Sequence, residues 1–569
     1  MTDEFKLIQT PRSTVELTLD DGRIIVGKRG ARLEEFAKVI QNHDDAMIVG
    51  MVLNGSLREL TYDLNQDGEA SLITLADADG ARIYRRSLVF LLEVAFKHCF
   101  PGGKLTIDHS VSSGGYHCQI EGLELFGDRE LARLESEMHD LVKEDIPFIR
   151  ETVPLSEAIE YFSKAGEEDK VQLLKYRQRP DLVLYRADSV RDYHHGYMVP
   201  SSGYLKWFEL ELVEEGFVLR FPRRHSPNQI EPMDKFPTLL KTFKEYAEWL
   251  NKLGIPSVGA LNDAIAEGHV DEVILVSEAL HEMQISRIAE QIYAERDRVN
   301  VILIAGPSSS GKTTFSKRLS IQLVARGINP FALEMDNFFV DREKTPLLPD
   351  GSKDFESLRA MNLGRLNRDV KALIRGEEVQ LPYYNFITGL SEEGKVVKLN
   401  KGDVIILEGI HGLNPGLLRD IDPRNTFRIY ISCLTQLNLD RHNRISTTDT
   451  RMLRRIVRDA RDRGYNAGDT IGRWESVRRG EKEHIFPYQE NADVMFNSAL
   501  AYELGTLKPL VEPLLRQVSH GTPEHIEAKR LLKFLEWFLP TTTEFVPDNS
   551  ILREFIGDSI LTDFSMWKR

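Results

Sequence analysis

The stretch VILIAGPSSSGKTTFS, residues 301–316, carries the strongest structural signal in the chain. Its first five residues are apolar and predict a buried strand, and the residues after Lys312 have helical character. Between them, residues 306–313 fit the pattern GxxxxGK[ST], whose expected context is a strand before it and a helix after it. This context predicts a phosphate-binding loop, here called the P-loop.

Each residue type in the P-loop suits phosphate chemistry. The glycines allow backbone N–H groups to turn toward phosphate oxygens, and the N-terminus of the following helix adds partial positive charge. Lys312 is predicted to reach the β- and γ-phosphates of a nucleotide, and the Thr313 hydroxyl to ligate Mg²⁺. The predicted nucleotide contacts are Gly306, Ser308, Ser309, Ser310, Gly311, Lys312, Thr313 and Thr314.

From about residue 298 onward, short apolar strands alternate with helical stretches. The strand candidates are residues 301–306, 330–336, 403–409, 427–432 and 494–498. Continuous apolar strands that alternate with helices indicate a parallel sheet covered on both faces. The sequence therefore predicts an α/β domain built around the P-loop.

Two acidic residues end two of these strands, Asp336 in ALEMDNFF and Glu408 in VIILEGIHG. Ligands of open parallel sheets bind beyond the carboxyl ends of the strands, so both acids are predicted to face the P-loop. One could hold Mg²⁺, and the other could accept a proton from an attacking hydroxyl. Taken alone, either residue could instead be a loop carboxylate or a helix cap.

Residues 441–463 contain eight arginines against three aspartates. Arg451, Arg454 and Arg458 recur at helical spacing i, i+3, i+7, which places three guanidinium groups on one face of a helix. Arginine stabilises charge that develops on a transferring phosphoryl group, so a catalytic lid is predicted. The alternatives are a solvated, salt-bridged helix and a nucleic-acid patch.

Composition excludes several classes of protein. The 569 residues include 73 basic and 88 acidic side chains, for a net charge of −15, which argues against a surface that grips nucleic acid or an anionic membrane throughout. Three cysteines are too few for a disulfide framework. The start of the chain has no apolar leader, and no apolar run reaches membrane-spanning length. We therefore expect a soluble cytoplasmic protein, with its oligomeric state, including a homo-oligomer, left open.

The motifs of the C-terminal half resemble the uridine kinase and phosphoribulokinase group. GPSSSGKTT, MDNFF, LPYYNF, ILEGIHGL and DTRMLRRIVRD occur in the order seen in that family, over roughly residues 298–510. The resemblance implies a P-loop kinase that transfers the γ-phosphate of ATP to a hydroxyl of a nucleoside or similar small molecule, with Mg²⁺. It implies the following roles: base and acceptor contact for Asp336, metal-site acid for Glu408, catalysis for Lys312, Arg451 and Arg454, with Arg451 also near the acceptor, and nucleotide contact for Arg458.

The acceptor segment departs from the family pattern. Uridine kinases carry a segment like Tyr-Asp-Phe-x-x-His that helps to hold the nucleoside, whereas this chain has Tyr384, Asn385 and Phe386, with Gly389 in place of the histidine. Glycine cannot replace a hydrogen-bonding imidazole. The implied class of reaction is unaffected, but pyrimidine specificity does not follow.

The N-terminal half resembles threonyl-tRNA synthetase, with a TGS module followed by an editing-type domain. The matching segments include LTLDDGR, RRSLVFLLEVAF and RDYHHGYMVPSSG. The predicted architecture is multidomain α/β and α+β: a β-grasp TGS-like domain (1–76), an α+β editing-like domain (77–225), a helical connector (226–297) and the P-loop domain (298–569).

The editing-type motifs HxxxH and CxxxH are not intact. Their positions hold Arg86 and Phe90, and His194 and Met198, so that chemistry is predicted to be lost or changed. The alternatives for His109, His117, His194 and His195 are ordinary polar-pocket histidines, a zinc site, or contact with a ligand or RNA. The alternative function is an RNA-associated P-loop ATPase switch that contacts tRNA through this half of the chain.

Overall fold

A computed structural model describes residues 10, 12–42, 45–111, 114–214, 216–233, 237–348, 351 and 353–564. Residues 1–9, on which the expectation about a leader rests, lie outside this description. The chain divides into two compact units. The first comprises Met1–Lys235, Asn438–Arg444 and Val518–Trp537, and the second comprises Phe236–Leu437, Ile445–Gln517 and Phe538–Arg569.

The first unit begins with a five-stranded sheet of order β2-β1-β7-β4-β5, covered by one helix. Strand β1 pairs antiparallel with β2 and parallel with β7, and its alternate residues Val15, Leu17 and Leu19 are buried. The elements are β1 (Thr14–Leu19), β2 (Ile24–Lys28), β3 (Ala31–Arg32), α1 (Leu33–Ile40), β4 (Ile48–Leu53), β5 (Ser56–Glu59), β6 (Asp63–Leu64) and β7 (Gly68–Thr74).

The rest of the first unit packs around helix α2, most of whose residues are buried. Two antiparallel sheets, of order β13-β14-β9-β8 and β10-β11-β12, belong to this part of the chain. The elements are α2 (Ala78–Cys99), β8 (Lys104–Val111), β9 (Gly115–Glu121), α3 (Asp128–Glu144), β10 (Ile149–Pro154), α4 (Leu155–Lys164), α5 (Glu168–Leu174), β11 (Asp181–Ala187), β12 (Val190–Asp192), β13 (Glu209–Val213) and β14 (Gly216–Arg220).

The second unit contains the predicted parallel sheet. Its order is β16-β19-β15-β20-β21, and every neighbouring pair is parallel. The central strand β15 is buried along its whole length, as its apolar sequence predicts. The elements as far as the fourth strand of this sheet in chain order are α6 (Pro237–Lys252), α7 (Val258–Ala266), α8 (Val270–Ala294), β15 (Val301–Ala305), α9 (Lys312–Val324), β16 (Pro330–Glu334), α10 (Leu363–Ile374), β17 (Val379–Asn385), β18 (Leu390–Val397), β19 (Val404–Glu408) and β20 (Thr426–Ser432).

The remaining elements complete both units. They are α11 (Thr447–Asp462), α12 (Ala467–Gly472), α13 (Trp474–His484), β21 (Val494–Asn497), α14 (Glu503–Arg516), α15 (Pro523–Leu535) and α16 (Arg553–Ile556). Helix α15 belongs to the first unit, and the others belong to the second. In the described part of the chain, no helix combines the length and the apolar character needed to cross a membrane.

The grouping of segments differs from the predicted linear series of domains. Within the region predicted as one domain, 298–569, residues 438–444 and 518–537 belong to the first unit. The helices of the predicted connector belong to the second unit. Helix α6 packs its buried Leu239 and Phe243 against Leu434. These groupings come from contacts between residues far apart in the chain, which the periodicity of a helix does not specify.

The histidines considered for zinc separate into different sites. His109 and His117 stack with ring centroids 4.9 Å apart, beside the carboxylate of Asp108, which lies 2.9 Å from His109 Nδ1. His194 lies near Glu93 instead, with 3.6 Å between the imidazole and carboxylate atoms. Because the ligand atoms of Asp108, His109 and His117 all lie within 4.8 Å of one another, the polar-pocket interpretation and the zinc-site interpretation both stay predictions.

A buried network of charges holds segment 438–444 in the first unit. Lys170 is fully buried, and its ammonium group contacts Asp192, Glu167 and, at 3.0 Å, His442 Nδ1. Burial alone would lower the pKa of Lys170, but the carboxylates of Asp192, Glu167 and Glu93 outweigh it and raise this pKa well above its usual range. Lys170 therefore stays charged and compensates carboxylates that water does not reach.

We expect Lys170→Met to lower the free energy of unfolding of the first unit by about 3–5 kcal/mol, because it leaves buried carboxylates without a counter-charge. Amide hydrogen exchange of peptides from β11 and β12 measures this loss. The control is Lys164→Met, since Lys164 is 75% exposed and its surface pair is worth at most about 1 kcal/mol. Equal effects of the two changes would contradict the role given to the network.

Candidate active site

The P-loop connects β15 to α9 through a backbone that requires glycine at two positions. A Cβ on Gly306 would lie 1.9 Å from the carbonyl oxygen of Ile431 on the neighbouring strand β20. Gly311 has φ +83°, and a side chain there would meet Ile551. Ser309 also has a positive φ, +59°. The loop therefore packs tightly against neighbouring residues. Close contact at Gly306 and positive φ values at Ser309 and Gly311 fix its conformation before α9 begins.

Two hydroxyl groups and one ammonium group of the P-loop are available to a ligand. The hydroxyl oxygens of Ser309 and Ser310 are buried, and neither has a hydrogen-bond partner among the described residues. Within the described part of the chain, Lys312 Nζ donates its one hydrogen bond to a loop carbonyl, that of Pro307, at 3.2 Å. Buried hydroxyls without partners are costly unless a ligand satisfies them. These donors fit the oxygens of a phosphate group.

Several carboxylates lie close to Lys312. Thr313 Oγ1 donates a hydrogen bond of 3.1 Å to Glu408 at the end of β19. Burial raises the pKa of Glu408, Lys312 opposes that rise, and the negative charges of Glu554 and Asp336 add to it. A hydroxyl and a carboxylate oxygen in contact are the donors that Mg²⁺ prefers, so Thr313 and Glu408 fit the predicted metal position.

Asp336 follows β16 in a short 3₁₀ turn, Met335–Phe338. Its side chain is accessible to solvent, yet the surrounding protein raises its pKa, with a smaller contribution from Glu334 and an opposing one from Lys312. A carboxylate that is accessible and also made more basic is suited to accept a proton. The structure thus brings Asp336 and Glu408 to the same edge of the sheet as Lys312, as predicted.

The predicted acceptor segment lies next to Asp336. The Tyr384 backbone N–H donates to Asn337 Oδ1 at 3.2 Å, and the Tyr384 ring is buried between Phe339 and Phe386. Asn385 has a structural role, since its Oδ1 accepts hydrogen bonds from the backbone of the following turn. Phe386, by contrast, is 59% exposed. Of the three predicted contacts, the Phe386 ring is the one left open to a ligand.

The conformation of the same turn explains why position 389 is a glycine. Its φ is +75°, and a Cβ would lie 2.8 Å from atoms of Arg342. A histidine at this position would be strained and would displace Arg342. The departure from the nucleoside-kinase pattern is therefore built into the backbone of the β17–β18 hairpin.

Two of the predicted lid arginines are buried beneath the P-loop. Arg451 donates to the Ser308 carbonyl at 3.1 Å and pairs with Glu481, which also accepts hydrogen bonds from the Ser308 backbone N–H and from Arg478. Arg454 donates to the Ser309 carbonyl at 3.4 Å and pairs with Glu503 at 2.6 Å. Both guanidinium groups thus position the loop backbone, and their contact with a transferring phosphate stays a prediction.

Two further arginines of α11, Arg455 and Arg458, make different contacts. Arg455 donates to the Ser308 hydroxyl at 2.7 Å, whereas Arg458 pairs with Asp459 at 3.0 Å. Arg455 is thus the half-buried arginine in contact with a P-loop side chain. The interpretation of α11 as a merely solvated helix does not fit, because Arg451 and Arg454 are almost fully buried.

Sequence reasoning missed four glutamates of this site. Glu481 and Glu503 neutralise the buried arginines, and Glu356 lies near Lys312 and Arg455 with a pKa raised by burial. Glu554 of α16 accepts a hydrogen bond of 3.2 Å from the Thr314 backbone N–H, 240 positions away in the chain. Glutamates outside recognisable motifs offer no sequence signal, apart from Glu481 in the charged segment 473–500.

Comparisons with known proteins confirm both parts of the resemblance. Residues 301–503 match the model of the Phosphoribulokinase / Uridine kinase family. The N-terminal region is similar to threonine--tRNA ligases. The relative from Desulforamulus reducens is 32% identical over 197 residues, 34% of this chain and 31% of the relative, and that from Carboxydothermus hydrogenoformans is 36% identical over 159 residues, 28% and 25%. The chain thus spans about a third or less of these curated relatives.

Among solved structures, one described as a "Possible Uridine Kinase from Bacillus stearothermophilus" is 22% identical, with 35% of this chain and 89% of that chain covered. Its TM-score is 0.25.

We expect Glu554→Gln to tighten binding of ATP several-fold, because the Glu554 carboxylate engages a backbone donor at the N-terminus of α9, where a nucleotide phosphate is predicted. Isothermal titration calorimetry measures the dissociation constant. Glu544→Gln, an exposed change elsewhere in the C-terminal segment, is the control. Unchanged or weaker binding by Glu554→Gln would show that its carboxylate does not compete with the nucleotide.

Proposed function

We propose that this protein is an ATP-dependent phosphotransferase that transfers the γ-phosphate to a hydroxyl of a nucleoside, uridine-type or otherwise, or of a similar small molecule. The observation that carries the proposal is the convergence of Lys312, Glu408 and Asp336 at one edge of the parallel sheet. The match of residues 301–503 to the Phosphoribulokinase / Uridine kinase family supports the same class of reaction.

The residues that would hold the nucleotide are those of the P-loop. Its backbone N–H groups and the free hydroxyls of Ser309 and Ser310 would receive phosphate oxygens, while Lys312 would leave the Pro307 carbonyl to neutralise the γ-phosphate. Thr313 and Glu408 would hold Mg²⁺, which supplies positive charge against the phosphates when bound. Arg451 and Arg454 would keep the carbonyl groups of the loop turned away from the phosphates.

Asp336 would act on the acceptor. Its carboxylate would accept the hydrogen bond of the acceptor hydroxyl and take up its proton as the hydroxyl oxygen attacks the γ-phosphorus. The bond between that phosphorus and the bridging oxygen breaks, and ADP is the leaving group. The exposed ring of Phe386, close to Tyr384 beside Asn337, is placed to contact the organic part of the acceptor.

The test is ADP release from MgATP against a panel of nucleosides, sugars and polyols, with the phosphorylated product identified by mass. We expect Lys312→Ala to reduce transfer by at least about 10²-fold, because it removes charge stabilisation of the phosphoryl group. We expect Asp336→Asn to lower kcat by about 10²- to 10⁴-fold while ATP binding is nearly unchanged. Full kcat in Asp336→Asn would exclude that residue as the base.

The raised pKa of Asp336 gives a second prediction. A base acts when deprotonated, so kcat/KM is expected to fall as pH decreases through this pKa, which lies above that of an ordinary aspartate. Because Glu334 contributes to the rise, Glu334→Gln is expected to move the acidic limb of the profile to lower pH. Glu343→Gln, an exposed change, should leave the limb in place; a limb that moves equally in both variants would contradict the assignment.

The second candidate function is the RNA-associated ATPase switch, which the similarity of the N-terminal region to threonine--tRNA ligases favours. In this case ADP release would ignore every small acceptor and rise on addition of tRNA. The same assay, with tRNA as one further member of the panel and Lys312→Ala as blank, separates the two functions. Self-association of the chain stays a prediction for both.

A further inference from the structure

The first unit contains a cavity of about 350 Å³ that the proposed phosphotransfer does not use. Residues of β5, α2, β10, β11, α15 and the loops before β11 and after β12 line it. Small-molecule sites typically have volumes of about 300–1,000 Å³. We refer to it as the arginine-lined cavity. Its cationic residues are Arg58, Arg82, Arg86, Arg150, Arg177, Arg179, Lys529, Arg530 and Lys533.

The arginine-lined cavity has far more positive than negative charge. Nine cationic side chains face three carboxylates, those of Asp79, Asp181 and Glu536, in a chain whose net charge is −15. Such a concentration of one sign is unfavourable in a folded protein unless counter-charges or a ligand offset it. The local balance is therefore opposite to that of the whole molecule.

Only part of this positive charge is compensated by the protein. Arg82 and Arg530 pair with Glu527, and Arg179 pairs with Glu536. Among the described residues, neither Lys529 nor Lys533 has an ion pair, although they lie one helical turn apart on α15. Like charges at this spacing repel each other.

Arg86 of α2 is one of the cations that line this cavity. It holds the position where the family resembled by this half of the chain has the first histidine of HxxxH. Its guanidinium donates to the Tyr197 carbonyl at 2.6 Å, and it has no carboxylate partner among the described residues. Burial, and then neighbouring cations, lower the pKa of Arg86 to about 10. The departure from the family motif thus introduces an uncompensated charge.

The neighbouring His195 is kept neutral. Trp537 Nε1 donates a hydrogen bond of 3.3 Å to His195 Nδ1, which assigns the ring proton to Nε2. Burial and the charges of Arg86, Arg530, Lys533 and Arg177 lower the pKa of His195 to about 3. The imidazole therefore adds a neutral polar group beside the cations rather than a further charge.

We propose that the arginine-lined cavity binds a small molecule that carries a phosphate or diphosphate group, with its anionic oxygens at Arg86, Arg530, Lys529 and Lys533. Several converging guanidinium and ammonium groups suit an anion of two or more charges with several acceptor oxygens. A phosphate group satisfies this requirement better than a single carboxylate. The phosphate groups of an RNA have the same chemistry, but a cavity of about 350 Å³ has the size of a small-molecule site.

The test uses the full chain with Lys312→Ala, which disables the P-loop, and inorganic pyrophosphate as the probe in isothermal titration calorimetry. We expect binding of pyrophosphate in this background. The further double change Lys529→Gln and Lys533→Gln should weaken it on the order of tenfold or more, because two charge-assisted contacts are lost. Both lysines are exposed, so the fold should tolerate the change.

The matched control removes the same charge elsewhere in the first unit. Lys143→Gln with Lys164→Gln, both 75% exposed, should alter the affinity by less than about threefold. Equal weakening by the two pairs, or no binding in the Lys312→Ala background, would overturn the proposal. Binding of a short oligoribonucleotide that pyrophosphate neither matches nor displaces would also overturn it and assign the cavity to RNA.

Discussion

Two buried arginine–glutamate pairs support the site that gives this protein its chemistry. Arg451 and Arg454 are almost fully buried, and each contacts a carbonyl of the P-loop as well as its glutamate. A buried guanidinium without a carboxylate would be strongly destabilising, so the pairs must form together. Once formed, they hold the peptide groups of Ser308 and Ser309 in one orientation. The N–H groups of the loop are then available to a phosphate without further rearrangement.

This arrangement changes the physical meaning of the arginine-rich helix. A lid arginine that acts on the γ-phosphate must be able to reach it, whereas a positioning arginine must be held in place. The multiple contacts of Arg451 and Arg454 make them positioning arginines. Lys312 and the half-buried Arg455 lie beside the loop, and the surrounding protein raises the pKa values of the carboxyl groups of Glu408, Glu356 and Asp336. A bound group that carries positive charge would interact favourably with these three carboxylates.

The first unit uses charge in two different ways. Around Lys170, acids and bases balance, and the network joins segment 438–444 to the rest of the unit. In the arginine-lined cavity, cations outnumber carboxylates. The excess positive charge lies where the metal-type motif of the related family is lost. A balanced buried network is explained by stability alone. An unbalanced one at an open cavity calls for a ligand, since it makes the unoccupied protein less stable.

Local sequence was sufficient for the parallel sheet and the P-loop, because apolar strands, glycine spacing and a helix start are properties of neighbouring residues. It also placed Asp336 and Glu408 at the same edge, since parallel strands align their carboxyl ends. It could not identify Glu481, Glu503 or Glu554, whose partners lie 30 to 240 positions away, nor assign α15 to the first unit. Those features depend on which buried surfaces and charges meet in three dimensions, and helical periodicity shows that a face is apolar without showing what covers it.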